Sequence, residues 1–405
     1  MQLSKILSAL ALLGAAIPST YALSIKDDTV KLGIGIRLQT RATIADATDS
    51  AGGEFSVQSG TSASKNDPID FSIRRSRLYL KIGYGDNWKG ELAFSADNID
   101  NTGSNTGRAL SVRYAWAKRT WKMEGDMSHA IAFGLMKPYN NPSDSAMSSS
   151  RTLFPTENAA SGLAGYREVG LEYSFNHPLF SITLDAFQNE AGADASGDNL
   201  GETEGFLLGA RAEFSFSPEW FIAKRSESFL GKEGHGLNIG ISALQNSDAE
   251  GNTGATGTPA STDFQRTTMA YGIDAMLWYN NISAYLEFRT MNVVTDGTAS
   301  GTEFSDVDSE VIVAQVGYAF PLANGCVIEP AVRFQMIDNN TDADETPNYG
   351  SAAAEVGNSG TQIDLGVNYY LNGHDNKIQL ALQLWEAEEG DADATIIRLQ
   401  HQLNF

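Results

Sequence analysis

Two clusters of cationic side chains are the residues best placed to do chemistry in this chain. The first is Arg74-Arg75-Ser76-Arg77, followed by Leu78-Tyr79-Leu80-Lys81. If Leu78, Leu80, Ile82 and Tyr84 share one face of an extended segment, then Arg75, Arg77, Tyr79 and Lys81 share the other. The second cluster lies in the polar stretch 137–166. It opens on Lys137-Pro138, carries Ser148-Ser149-Ser150-Arg151 and closes on Phe154-Pro155-Thr156-Glu157. Fixed cations lining a narrow, water-filled throat would sort small ions by charge. Covalent chemistry has no comparable candidate. His129, His177, His235, His374 and His401 are scattered, and no spacing pairs one with a serine or with carboxylates. Gly33-x-Gly35 falls inside an alternating segment, so it is no phosphate loop. No enzyme, cofactor or metal site is expected.

Whether those cations meet water depends on the elements that carry them. The dominant pattern is alternation with a period of two, broken by polar connections. In Val30–Thr43, Leu32, Ile34, Ile36 and Leu38 oppose Arg37, Gln39 and Arg41. In Ala109–Ala117, Leu110, Val112, Tyr114 and Trp116 oppose Ser111, Arg113 and Ala115. Ile363, Leu365, Val367, Tyr369 and Leu371 oppose Gln362, Asp364 and Asn368, and the chain closes with Ile397, Leu399, His401, Leu403 and Phe405 opposing Arg398, Gln400, Gln402 and Asn404. The pattern predicts strands near 30–44, 69–84, 88–97, 108–120, 128–137, 167–176, 179–189 and 204–216. The second half adds 234–246, 266–280, 281–294, 308–320, 326–338, 361–372, 376–388 and 393–405, sixteen strands in all.

A soluble sandwich also alternates, so the connections decide the class. Gly85–Asn87, Asn176–Pro178, Asn280–Asn281, Pro321–Gly325 and Asn372–Asp375 are tight, whereas 45–68, 137–166, 247–265 and 338–360 are long and polar. Short turns at one end and long loops at the other are expected of an outer-membrane barrel. One connection, 217–233, is long where a short one is expected. Tyr84, Trp88, Trp116, Trp121, Phe175, Phe180, Phe214, Phe216, Tyr279, Tyr318, Phe320, Tyr369 and Phe405 gather at the short-turn ends, as interfacial girdles require. The fold class expected is therefore all-β: a sixteen-stranded antiparallel transmembrane β-barrel with an in-folded third loop, in the outer membrane of a Gram-negative bacterium. Sixteen strands leave an aqueous channel, whereas eight would fill with side chains.

Composition agrees and excludes the alternatives. Lys5, the apolar run Ile6–Ile17, Pro18 and Thr20-Tyr21-Ala22 read as a signal peptide, so residues 1–22 are set apart from a barrel domain at 23–405. No later stretch is apolar enough for a membrane helix, which needs roughly 20 such residues. A net charge of −22 argues against nucleic acid, whose phosphates need an extended basic face. The single Cys326 forms no internal disulfide. The acidic excess sits in long loops and reads as solvated surface, with divalent cations bridging to lipopolysaccharide as a sharper alternative.

Parity then sets the wall. Charge facing mid-bilayer lipid costs about 2–4 kcal/mol, so Arg37, Arg41, Arg75, Arg77, Lys81, Arg113, Arg211, Arg289, Arg333 and Arg398 are expected to face the lumen. Glu91, Glu172, Asp185, Glu213, Asp274, Glu287, Glu329 and Asp364 join them, so the wall is mixed. Phe71 and Ile73 break the parity of Leu78–Tyr84, which predicts a bulge near Arg74. Arg75, Arg77, Lys137 and Arg151 are the expected constriction cations. The alternative reading is a plugged structural or adhesin-like barrel presenting acidic loops, and it would show large apolar residues on the inner face.

Phe71-Ser-Ile-Arg-Arg-Ser-Arg-Leu78 with Gly90-Glu91-Leu92 resembles the second and third strands of the phosphate-selective porin O and P family. Gly134-Leu-Met-Lys-Pro138, then Ser149-Ser-Arg151-Thr-Leu-Phe154 and Glu157, are similar to its third strand-loop block. The likeness runs from about residue 30 to 405. It implies a homotrimeric porin passing small hydrophilic solutes, with an anion-preferring constriction at Arg75, Arg77, Lys137 and Arg151. Selective members carry a run of inward arginines on a later strand. Phe206–Phe214 offers only Arg211, with Glu213 beside it, which implies a less selective relative.

Overall fold

The computed structural model describes residues 24–26, 29–48, 55–57, 61–63, 69–97, 99, 110–138, 148–156, 158–160, 167–188, 206–222, 225–252, 263–296, 298–299, 302–303, 307–338, 359–388 and 393–405. The predicted signal peptide and most of the acidic loop residues lie outside them.

Sixteen long strands form one antiparallel sheet. The first eight are β1 (Val30–Thr48), β2 (Asp70–Tyr84), β3 (Trp88–Ser95), β4 (Ser111–Lys122), β5 (Ser128–Met136), β6 (Glu168–His177), β7 (Phe180–Gln188) and β8 (Phe206–Phe214). The rest are β9 (His235–Asn252), β10 (Asp263–Tyr279), β11 (Ile282–Asp296), β12 (Val307–Tyr318), β13 (Val327–Asp338), β14 (Gly360–Asn372), β15 (Asn376–Ala387) and β16 (Asp393–Asn404). Two short pieces, Ser24–Lys26 beside β1 and Phe320–Pro321 beside β13, extend the same sheet. Each strand pairs with its neighbour in sequence, and β16 pairs with β1 from Arg37↔Asn404 to Thr48↔Asp393. Closure leaves no sheet edge, so the backbone is satisfied without water, as a membrane-spanning sheet requires. No helix among the described residues is long and apolar enough to cross a membrane.

The sheet is inside out relative to a soluble barrel. Ile36 is 48% exposed and Phe133 62%, whereas Gln402 and Arg333 are fully buried. Tyr84, Trp88, Phe214, Tyr279 and Tyr318 stand exposed at the short-turn ends, where a girdle belongs.

Two bulges set the parity near the cationic cluster. Gln39 pairs with Arg75 and Thr40 with Ile73, so Arg74 is the extra residue and both Phe71 and Ile73 take the outer face. The predicted bulge is therefore where the parity break placed it. A second bulge falls at Arg113, between Ala93↔Tyr114 and Phe94↔Val112. It overturns the single-face reading of Ala109–Ala117. Leu110 and Val112 face out, but Tyr114 and Trp116 pack on an inner apolar cluster with Ala132, Met136, Phe187 and Leu207. Trp116 therefore leaves the girdle. A second inner cluster joins Ala160, Val311, Val313, Ile337, Trp385 and Ile396. The inner face is thus largely polar, with apolar clusters toward the long-loop end and others at the short-turn end, where Ile222 packs on Met276 and Tyr285, and Leu230 on Ala319, Val327 and Tyr370.

Candidate functional site

The β1–β2 wall is cationic because inward positions on adjacent strands coincide. Arg37 lies directly opposite Arg77, and Gln39 opposite Arg75. Arg77 forks onto Asp97 at 2.5–3.1 Å, and Arg113 reaches the same carboxylate at 3.4 Å. Burial alone would raise the Asp97 carboxyl, but the hydrogen bond and charge of Arg77, with Arg113 behind them, hold it below the usual range. Arg37 instead finds neutral partners: Asn404 at 3.0 Å, Ser149 at 2.8 Å and Ser148 at 3.2 Å. Arg75 donates to Gln39 at 2.8 Å. Lys81, nearer the short-turn end, stands over the Tyr79 ring opposite Glu91.

Residues 148–160 make hydrogen bonds to inward side chains on several strands. Gln402 donates to the Ser150 carbonyl at 3.0 Å, Lys377 and Gln379 to that of Thr152 at 2.7 and 3.1 Å, and Arg41 to that of Pro155. Arg333 holds Thr156 at 2.9 Å, and Gln335 accepts from the Ala159 N–H at 2.7 Å. Leu153 and Phe154 seat against Gly317 and Gly366, where an added Cβ would come within 3.2 and 2.8 Å of them. The Arg333 guanidinium covers the Phe154 ring at 4.6 Å.

The opposite wall is self-neutralised. Glu213 accepts from Arg211 and from Arg225, both at 2.8 Å, and Asp274 pairs with the same two arginines at 2.8 and 3.1 Å. Arg225 belongs to the overlong connection between β8 and β9. Its described residues include a 3-10 turn, Pro218–Trp220, and Arg225 to Ser228 are buried against the wall. Ser228 donates to Glu329 at 2.5 Å, His374 meets the Ser228 carbonyl at 3.0 Å, and Phe229 stacks on Trp278. The two non-barrel segments meet: Leu153 N–H donates to the Glu227 carboxylate at 2.7 Å, and Glu227 N–H to the Arg151 carbonyl at 3.2 Å. Burial raises the Glu227 carboxyl against the pull of Arg333 and the Leu153 N–H. Burial, then the charge of Lys377, depresses His374 to about 3.

Of the predicted constriction residues, Arg75 and Arg77 share one face with Arg37, and Arg77 reaches Ser149 at 3.2 Å. Arg151 lies just beyond, its guanidinium lowered by burial and raised by Asp375. Lys137 follows the last residue of β5 and is half-buried. Arg211 does line the wall, but inside the neutral network. Asp97, Arg225, Glu227 and Ser228 were not singled out from sequence. The unexplained length of 217–233 was the one signal for the last three. Among the described residues no group of His, Cys, Asp and Glu could hold a metal ion.

A closed sixteen-stranded barrel with an apolar outside and a charged inside is an outer-membrane porin. The phosphate-selective porin O and P profile matches residues 51–405, and the chain belongs to that family. No curated protein matches it by sequence. Solved structures share the fold at low identity. The outer membrane channel DcaP of Acinetobacter baumannii is 12% identical with a TM-score of 0.53, over 96% of this chain and all of that one. The anion-selective porin of Comamonas acidovorans is 11% identical with a TM-score of 0.51, over 93% and all. In-vitro folded OmpT of Vibrio cholerae, in a trimer form, is 12% identical with a TM-score of 0.51, over the same shares.

Proposed function

We propose that this porin is a passive, anion-preferring channel whose throat is formed by the 148–160 and 225–230 segments against the β1–β2 wall. The observation that carries the reading is the charge balance there. Arg37 and Arg77 face each other, Arg77 and Arg113 share one carboxylate, and the partners of Arg37 are neutral hydroxyls and an amide. Guanidinium forks match the oxygens of a small oxyanion, so phosphate-type solutes fit the class. Arg75, Arg77, Lys137 and Arg151 act as the constriction cations, and Arg37, Lys81, Arg113 and Arg211 as wall charges. Transport needs no cofactor and no catalytic group. Residues 1–22 serve export. The chain assembles as a homotrimer embedded among outer-membrane lipid and lipopolysaccharide, a reading the trimeric OmpT fold relative supports.

The second reading is a plugged barrel. Leu153 and Phe154 are buried, and the Glu227–Leu153 contact joins the two non-barrel segments. A planar bilayer under a potassium chloride gradient separates the two. A reversal potential toward chloride, abolished by Lys137→Gln with Arg151→Gln and by Arg75→Gln with Arg77→Gln, supports the anion throat. A potential toward potassium overturns the anion preference, and the absence of conductance steps leaves the plugged barrel.

A further inference from the structure

The outer face of β2–β5 carries a groove of about 750 Å³ in its apolar wall. Its floor is low because Gly90, Ala115 and Ala117 take outward positions on β3 and β4, and register sets Gly90 against Ala117 and Leu92 against Ala115. Ile82, Tyr84 and Phe133 rise on either side. From Trp88 to Leu92 the floor runs about 13 Å along the strand. The groove ends at the girdle level, where Trp88 begins β3.

A cation closes that end. Arg119 is the register partner of Trp88 and, like Ala115 and Ala117, takes an exposed outward position. Its guanidinium lies 5.5 Å from the Trp88 ring and 4.8 Å from the Trp121 ring. Among the described residues no carboxylate pairs with it. Two indole faces fix the group without neutralising it, so its N–H donors remain directed to the interface. An unpaired guanidinium at headgroup depth, below an apolar slot, is complementary to a phosphodiester carrying an acyl chain.

We propose that this groove is a site for one anionic phospholipid of the periplasmic leaflet, its phosphate on Arg119 and one acyl chain over Gly90, Ala115 and Ala117. An unneutralised guanidinium repels the ammonium of a zwitterionic headgroup, which favours a headgroup with net negative charge. The site lies outside the lumen, so it is independent of what the channel passes.

The test is native mass spectrometry of the full chain in mild detergent, titrated with phosphatidylglycerol or phosphatidylethanolamine. Wild type should retain one phosphatidylglycerol per chain, several-fold more than phosphatidylethanolamine. Arg119→Gln should remove that preference, Arg119→Lys should restore part of it, and Ala117→Phe should lower retention of both lipids by filling the slot. Both positions face outward, and unchanged single-channel conductance confirms that the barrel has formed. Equal retention by wild type and Arg119→Gln overturns the proposal. So does loss of oligomer with Ala117→Phe while lipid retention stays constant, since the groove would then hold a second copy of the chain.

Discussion

The β1–β2 wall and the β8–β10 wall both bury arginines, and they use them in opposite ways. On β8–β10, Arg211 and Arg225 are matched one for one by Glu213 and Asp274, and each arginine pairs with both carboxylates. On β1–β2, Arg37 and Arg77 stand opposite each other, and their remaining donors go to serine hydroxyls, an amide and one shared carboxylate. A matched buried network holds structure and offers a solute nothing, whereas an under-matched one leaves positive potential facing water. The same residue type is thus a fastener on one side and, in the proposed reading, a selectivity element on the other.

Breaking the matched side should have the largest effect. Arg225→Ala leaves Glu213 and Asp274 to share Arg211 and releases the connection between β8 and β9. Unpairing a buried charge costs about 3–5 kcal/mol. Urea unfolding followed by tryptophan fluorescence should show a loss of that order, and single-channel conductance should rise several-fold as the segment leaves the wall. Unchanged stability would mean that the ring holds nothing in place.

Charge removal on the under-matched side should act on selectivity instead. Arg37→Gln with Arg77→Gln should lower the chloride-to-potassium permeability ratio several-fold in the same bilayer recording. Unfolding should move less than in Arg225→Ala, because Arg113 remains to pair Asp97 and the partners of Arg37 are neutral. If both walls shifted selectivity equally, the division between fastener and filter would fail.

Acid should probe the junction between them. His374 is held neutral beside Ser228, with its folded-state value depressed to about 3, so its contribution is present above the ordinary histidine value and is lost as pH falls toward 3. Glu227 works the other way: its raised carboxyl favours the protonated form, so its contribution is present in acid and lost as pH rises through the raised value. Wild-type stability should therefore decline between about pH 6.5 and pH 3. His374→Asn should flatten that decline, and Glu227→Gln should steepen it by removing the opposing contribution. Unfolding midpoints taken at half-unit pH steps read both slopes.

The strands were legible because the bilayer imposes period-two alternation, and an inward arginine has no cheap alternative. The bulge at Arg74 was legible because Phe71 and Ile73 broke parity visibly. The bulge at Arg113 was hidden, since Tyr114 and Trp116 continue the apolar alternation of Leu110 and Val112 across the point where the face changes. The pairing of Arg225 with Glu213 and Asp274 was not readable either. The connection has no periodicity, and its partners lie on strands set by closure of the whole sheet rather than by local sequence. Only its excess length showed that it did something other than turn. In the sequence Asp97 only ends a strand, and its role emerges only when Arg77 and Arg113 converge on it.

The smallest expected effect tests whether every matched pair is a fastener. Lys118 and Glu172 pair at 2.9 Å across the inner face of β4–β6, but the lysine side chain is 29% exposed and the carboxylate 12%. Water screens a pair at this exposure far more than the Arg211 ring, so it belongs nearer the surface range of about 0.2–1 kcal/mol. Lys118→Gln should therefore lower stability by no more than about 1 kcal/mol, and less in high salt. It also leaves Glu172 uncompensated in the lumen, so the reversal potential should move slightly toward potassium. A loss as large as that of Arg225→Ala would show that neither burial nor the number of partners decides which charges hold the barrel together.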